Sequence, residues 1–408
     1  MPRSLRQFPR VPAVVAVLGL LHAGPVPAAP RVPADNAVVL EHLPLKPADP
    51  VARELRELRN TLAANPQDAD TAVKLARRYF LLAMSEGDPR FIGYGEAALR
   101  PWWTLPEAPR DVLFVRALLK QYKHEFAAAH ADLARASAID PADEDVWLWR
   151  AALHLVQANY DEARKDCAAL RANLRNRGGE LDVVSCEASV QGMTGEAATA
   201  YRRLREAVAR AGTAGPLAKV WVHTRLAEFS MRLGDTARAE THFRTALALT
   251  TSNQFNDQYL LAAWADFLLD QKRYMEIIPL LEKWVRSDIL LLRLALAEQA
   301  LGLPAQKAHV EALVARFEAA ALRSERLHLA EESRLHLSML NDPAKALALA
   351  RENWQSQREP RDARAVLEAA VVLRDPAAAA DVLEWLRQSR HEDPALAALA
   401  AKLAAGKP

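Results

Sequence analysis

Pairs of small residues twelve positions apart recur along this chain and leave few folds open to it. Ala117 and Ala129, Ala151 and Ala163, Ala188 and Ala200, and Ala227 and Ala239 keep the offset, as do Ala265 and Ile277. The step from one pair to the next varies, at 34, 37, 39 and 38 residues. An offset held constant inside a unit is what two helices in close contact require. A variable step between units is what surface loops absorb at little cost.

The stretch Val220 to Thr250 displays the unit most plainly. Val222, Leu226, Phe229 and Leu233 form one apolar face; Ala239, Phe243, Ala246 and Leu249 form a second. Between them stands Gly234-Asp235, where glycine can take a positive φ and reverse the chain. That pattern predicts a helical hairpin, which cannot bury both faces without a similar neighbour. Phe126, Tyr160 and Tyr274 fall three residues before the second small position, and Leu133, Leu204, Phe243 and Leu281 four residues after it. Alternating β-branched and aromatic runs are lacking, so strands are not expected.

These positions resemble the tetratricopeptide repeat (TPR), whose unit carries small residues, a turn glycine and a late proline at set places. Ala227, Gly234, Ala239, Phe243 and Ala246 fit in one copy; Ala117, Ala129, Leu133, Ala136 and Pro141 fit in another. The resemblance implies an all-α superhelical array of about eight or nine hairpins. Its regular part covers 110–285, irregular helices and a first hairpin occupy 51–109, and degenerate hairpins with a capping helix over Pro394 to Ala405 occupy 286–408. Pro279 lies inside a predicted second helix and should distort it. In such arrays the first helix of each hairpin lines a concave face. The repeat frame places Asp111, Phe114, Leu148, Trp221, Thr224, Glu228, Tyr259 and Asp266 there, as candidate partner-binding residues. Some members of the family grip a carboxylate with Lys, Asn and Arg on this face. Phe114, Leu118, Leu148 and Ala152 stand at the matching positions here, which argues against that mode.

Residues 1–28 read as a signal peptide: Arg3, Arg6 and Arg10, then an apolar run from Val11 to Leu21, then small residues up to a cut near Ala28. The apolar run falls short of the roughly 20 residues a bilayer crossing needs. Cleavage removes three arginines and no acid, so 53 cations against 51 anions become 50 against 51. Neither balance suggests a nucleic-acid surface. The expected compartment is periplasmic or extracellular, with no membrane insertion after cleavage. A proline-rich extended segment follows over 29–50.

Two cysteines, Cys167 and Cys186, fall on adjacent helices of consecutive hairpins; an oxidising compartment permits a bridge, and two buried thiols are the alternative. His124-Glu125 begins a zinc-helix pattern, but Ala128 stands where the second histidine belongs, so no metal site is expected. No phosphate cradle or nucleophile elbow occurs, and no cofactor or catalytic residue is expected. Trp102-Trp103, in a connector after the first hairpin, read best as packing. The expected function is a non-catalytic scaffold of the bacterial envelope that binds another protein or an extended peptide. A polysaccharide- or polymer-handling module is the alternative.

Overall fold

A computed structural model describes residues 35, 48–174, 179–212, 214–253 and 255–406. The signal segment 1–28 and nearly all of the proline-rich segment 29–50 lie outside the described residues. The chain divides into a unit over Met1–Ala52 and a unit over Arg53–Pro408, and the helical array belongs to the second.

Among the described residues the secondary structure is entirely helical. After α1 (Pro50–Ala64) come nine hairpins: α2 (Ala69–Glu86) with α3 (Arg90–Ala98), α4 (Arg110–Tyr122) with α5 (Phe126–Ile139), α6 (Glu144–Val156) with α7 (Tyr160–Asn173), α8 (Glu180–Met193) with α9 (Ala197–Arg210), α10 (Pro216–Arg232) with α11 (Thr236–Ser252), α12 (Gln258–Asp270) with α13 (Tyr274–Leu281), α14 (Asp288–Leu301) with α15 (Ala305–Leu322), α16 (Leu329–Ser338) with α17 (Pro343–Ser356), and α18 (Pro360–Leu373) with α19 (Ala380–Ser389). α20 (Pro394–Ala405) closes the array against α18.

The twelve-residue offset has the cause the sequence suggested. All ten of those residues are buried, and a larger side chain at any of the nine alanines would push two helices apart. A second regularity lies in the turns. His124, Ala158, Gly195, Gly234 and Lys272 all have φ between 56° and 81°, each five residues before the buried small residue of its hairpin. Asn341 and Arg374 repeat the arrangement ahead of buried Ala346 and Ala379, so the C-terminal hairpins share the frame. Pro279 has a larger effect than a kink. α13 stops after eight residues, because proline withholds an N–H and crowds the carbonyl four residues back.

Arg116 explains the irregular connector after the first hairpin. Buried in α4, it donates two hydrogen bonds to the Asp132 carboxylate (2.5 and 2.8 Å). Its remaining Nη1 donates to the carbonyls of Trp102, Trp103 and Leu105. One guanidinium thereby satisfies backbone acceptors that no helix ladder serves. Trp102 is buried beneath it, the packing role expected of it.

The superhelix turns back on itself. α17 to α20 share a core with Met193 of α8. Trp385 Nε1 donates to Tyr160 Oη at 2.9 Å, the Arg358 N–H donates to the Val156 carbonyl, and the Ala197 N–H donates to Glu392. The last two hairpins therefore pack onto the third and fourth. The Cys167–Cys186 disulfide ties α7 to α8 within that contact region, with both cysteines buried.

Candidate functional site

That return folds the concave face into a half-open cavity of about 840 Å³. α6, α8, α10, α12 and α14, with the α10–α11 turn, line it together with α16, α18 and the start of α20. The α10 contribution centres on one stripe, Trp221, Arg225, Glu228 and Arg232, with Phe229 and Met231 to either side of it. Offsets of four, seven and eleven residues return to within about 40° of one direction on a 100°-per-residue helix.

Trp221 and Tyr259 keep 42% and 37% of their surface accessible although they lie inside the array. Between them sits the Arg225 guanidinium, 5.4 Å from the Trp221 ring centre and 4.8 Å from that of Tyr259. Glu228 completes the cluster, accepting from Tyr259 Oη at 2.6 Å and pairing with Arg225 at 2.9 Å. Burial alone would lower the Arg225 pKa, but Glu228 and Tyr259 outweigh it and hold the guanidinium charged. Burial pushes the Tyr259 hydroxyl well above the usual tyrosine range, so it stays a donor. Two aromatic faces, a fixed cation and a fixed carboxylate thus form one rigid wall.

Beside this wall the cavity is laced by ion pairs. Asp266 of α12 accepts from Arg293 of α14 (2.6 and 3.0 Å) and from Arg334 of α16 (2.6 Å). Burial would raise the Asp266 pKa, yet the two guanidiniums hold it well below the ordinary carboxylate range. One turn on, Asp270 accepts from both Nη atoms of Arg364 on α18 (2.7 and 2.8 Å). These two links fasten the C-terminal hairpins across the opening. Arg361 pairs with Glu359 at 2.8 Å. Arg232 alone among the cavity's arginines has no carboxylate within 4.0 Å among the described residues; its Nη1 donates to the Gly192 carbonyl at 3.0 Å.

Four of the residues placed on the concave face by the repeat frame meet here: Trp221, Glu228, Tyr259 and Asp266. The other four lie outside the cavity lining. Thr224 is only 2% exposed, with its hydroxyl on the Val220 carbonyl. It stands three residues from Trp221, about 60° back around the helix, and faces a neighbouring helix. Phe114 is buried, with Arg77 of α2 over its ring. Asp111 is exposed beside Arg110, and Leu148 packs on the cluster around the disulfide. The repeat frame did not single out the arginines and carboxylates of α16 and α18, because only the pitch of the superhelix brings them to α12. Among the described residues no group of three or more His, Cys, Asp or Glu is placed to hold a metal ion, and no helix is long and apolar enough to cross a membrane.

No protein-family model matches the chain, and no curated protein matches it. Among solved structures it is similar to a chain in the crystal structure of the APC/C hetero-tetramer Cut9–Hcn1, at 13% identity and a TM-score of 0.49, over 86% of this chain and 66% of that one. It is also similar to the TPR domain of P58(IPK), at 13% identity and a TM-score of 0.22, over 87% of this chain and 98% of that one. At such values the description of this fold as a TPR-like helical repeat rests on the chain's own hairpin register.

Proposed function

We propose that the protein is a non-catalytic binding scaffold of the bacterial cell envelope, and that it holds a segment of extended peptide inside the closed superhelix. The observation that carries this reading is the Trp221–Arg225–Tyr259–Glu228 wall, accessible yet enclosed. A volume of about 840 Å³ suits a single stretch of chain rather than a folded domain, since ligand pockets run from about 300 to 1,000 Å³. Exposed rings supply contact area with little side-chain entropy to lose, and the fixed charges supply orientation. Ion pairs shared between α12 and the C-terminal hairpins keep those groups in place before a ligand arrives, which lowers the ordering penalty of binding.

Export through the signal segment 1–28 belongs to the same proposal. The Cys167–Cys186 disulfide supports it, because such bonds persist in oxidising compartments. Selection from a displayed library of random heptapeptides tests the ligand class. Enrichment that disappears in the Trp221→Ala, Tyr259→Ala double variant is the expected result. A glycan array on the same protein decides the alternative: glycan binding without peptide enrichment would replace the peptide reading with the polymer-handling one.

A further inference from the structure

We infer that Arg232 is an anchoring site for a ligand carboxylate, carried by an acidic side chain about five residues from the part of the peptide that meets Trp221 and Tyr259. The inference rests on the peptide reading above and adds charge and register to it.

Arg232 ends α10 and is 9% exposed. A guanidinium offers five N–H donors; among the described residues Arg232 makes one hydrogen bond, from Nη1 to the Gly192 carbonyl. Charges nearby are already engaged. Glu228 is held by Arg225 and Tyr259, while Asp393 accepts from the N–H groups of Ala395 and Leu396 at the start of α20. His391 is kept neutral, with burial and then Arg232 pushing its pKa down to about 3, so it supplies no competing cation. Arg225 adds positive charge from the same helix face. Burial disfavours the Arg232 charge, and its guanidinium lies over the Phe229 ring, 5.4 Å from the ring centre. The cavity's other five lining arginines are each paired with a carboxylate of the protein. A cation left in this state is completed by an anion, and the planar fork favours a carboxylate bound through two parallel hydrogen bonds.

Geometry sets the register. Trp221 and Arg232 are eleven residues apart on one face of α10, about 16 Å along the axis. An extended peptide covers that distance in about five residues.

The test uses the full-length mature protein and two displayed heptapeptide libraries, C-terminally amidated and free-acid. The expected result is enrichment of Asp or Glu at one position of the amidated pool, about five residues from an enriched aromatic or proline. In the Arg232→Gln variant the aromatic preference stays and the acidic preference disappears. Affinity for a selected peptide should then fall about ten- to hundredfold, and Arg232→Lys should recover part of it. Unchanged acidic enrichment in Arg232→Gln, or enrichment confined to the free-acid pool, overturns the inference while leaving the cavity reading in place. Failure of both pools on wild-type protein overturns both. A thermal melt shows that Arg232→Gln is folded; if it is not, the Arg232→Lys affinity alone decides, and a value equal to wild type counts against paired hydrogen bonding.

Discussion

Replacing Asp266 by alanine should loosen the C-terminal hairpins without unfolding the rest. Asp266 is the carboxylate shared by Arg293 and Arg334, so its loss strands two guanidiniums at once. Removing one partner of a buried pair typically costs about 3–5 kcal/mol. Two features place this case at the lower end. Arg334 keeps 24% of its side chain accessible, and Arg293 has Glu331 at 3.8 Å as a substitute. About 3 kcal/mol is expected, or roughly a hundredfold rise in local opening. Repeat arrays need not unfold in one step, so a global melting curve is a blunt measure. Hydrogen exchange resolved to α16 and α18 is the sharper assay: their amides should lose about a hundredfold of protection, while those of α4 and α5 stay unchanged. A double-mutant cycle with Arg334→Leu should show coupling, since each change removes the same contact. Equal protection in wild type and variant, or additive effects, would refute the idea that these ion pairs fasten the turn. The pH dependence has a definite sign. Asp266 has a depressed folded pKa, so its contribution is fully present above the unfolded value near 4 and is lost as pH falls through the lower folded value. Opening of α16 should therefore be flat from neutral pH to about 4 and rise only below it.

Three further perturbations follow from the fold. Reducing Cys167–Cys186, or replacing both by alanine, should cost about 3 kcal/mol from loop closure, read as a lower urea midpoint that thiol-free buffer does not restore in the variant. Arg116→Leu leaves Asp132 with Lys120 alone, takes one of two donors from the Trp102 carbonyl and removes the donor to the Trp103 and Leu105 carbonyls, so a loss of about 3 kcal/mol or more is expected, with the Trp102 fluorescence environment changing first. Lys272→Gly should raise stability by a few tenths of a kcal/mol to about 1, because the exposed lysine sits at φ 56° where glycine meets no steric penalty; a lower urea midpoint would count against this explanation of the turns.

How far the fold could be read in advance depended on which signals are chemically unambiguous. Small residues twelve apart are such a signal, since close helix contact tolerates little else. The left-handed turn is a weaker one. Glycine marks it at Gly195 and Gly234, whereas His124, Ala158, Lys272, Asn341 and Arg374 occupy it elsewhere. Those residues accept a modest backbone penalty that hairpin packing outweighs. The site divides in the same way. Trp221 and Glu228 follow from the face of one helix, and Arg225 and Arg232 lie on that same stripe, where offsets of four and eleven from Trp221 could have found them. Thr224 shows the limit of a concave face assigned by unit position alone: 60° around the helix separates a lining residue from a buried one. Arg334, Arg361 and Arg364 were beyond reach, because their nearness to α12 depends on rotation accumulated over several hairpins.

The central claim is that a peptide segment occupies the closed superhelix, and photocrosslinking in the exporting cell tests it most directly. A benzoylphenylalanine placed at Trp221 faces the cavity, and one placed at Leu322, which is 89% exposed and absent from the lining, faces away from it. The expected result is a peptide adduct at 221 that is competed by a selected heptapeptide, and none at 322. Adducts at 322 with none at 221, or at 221 with no competition, would contradict it.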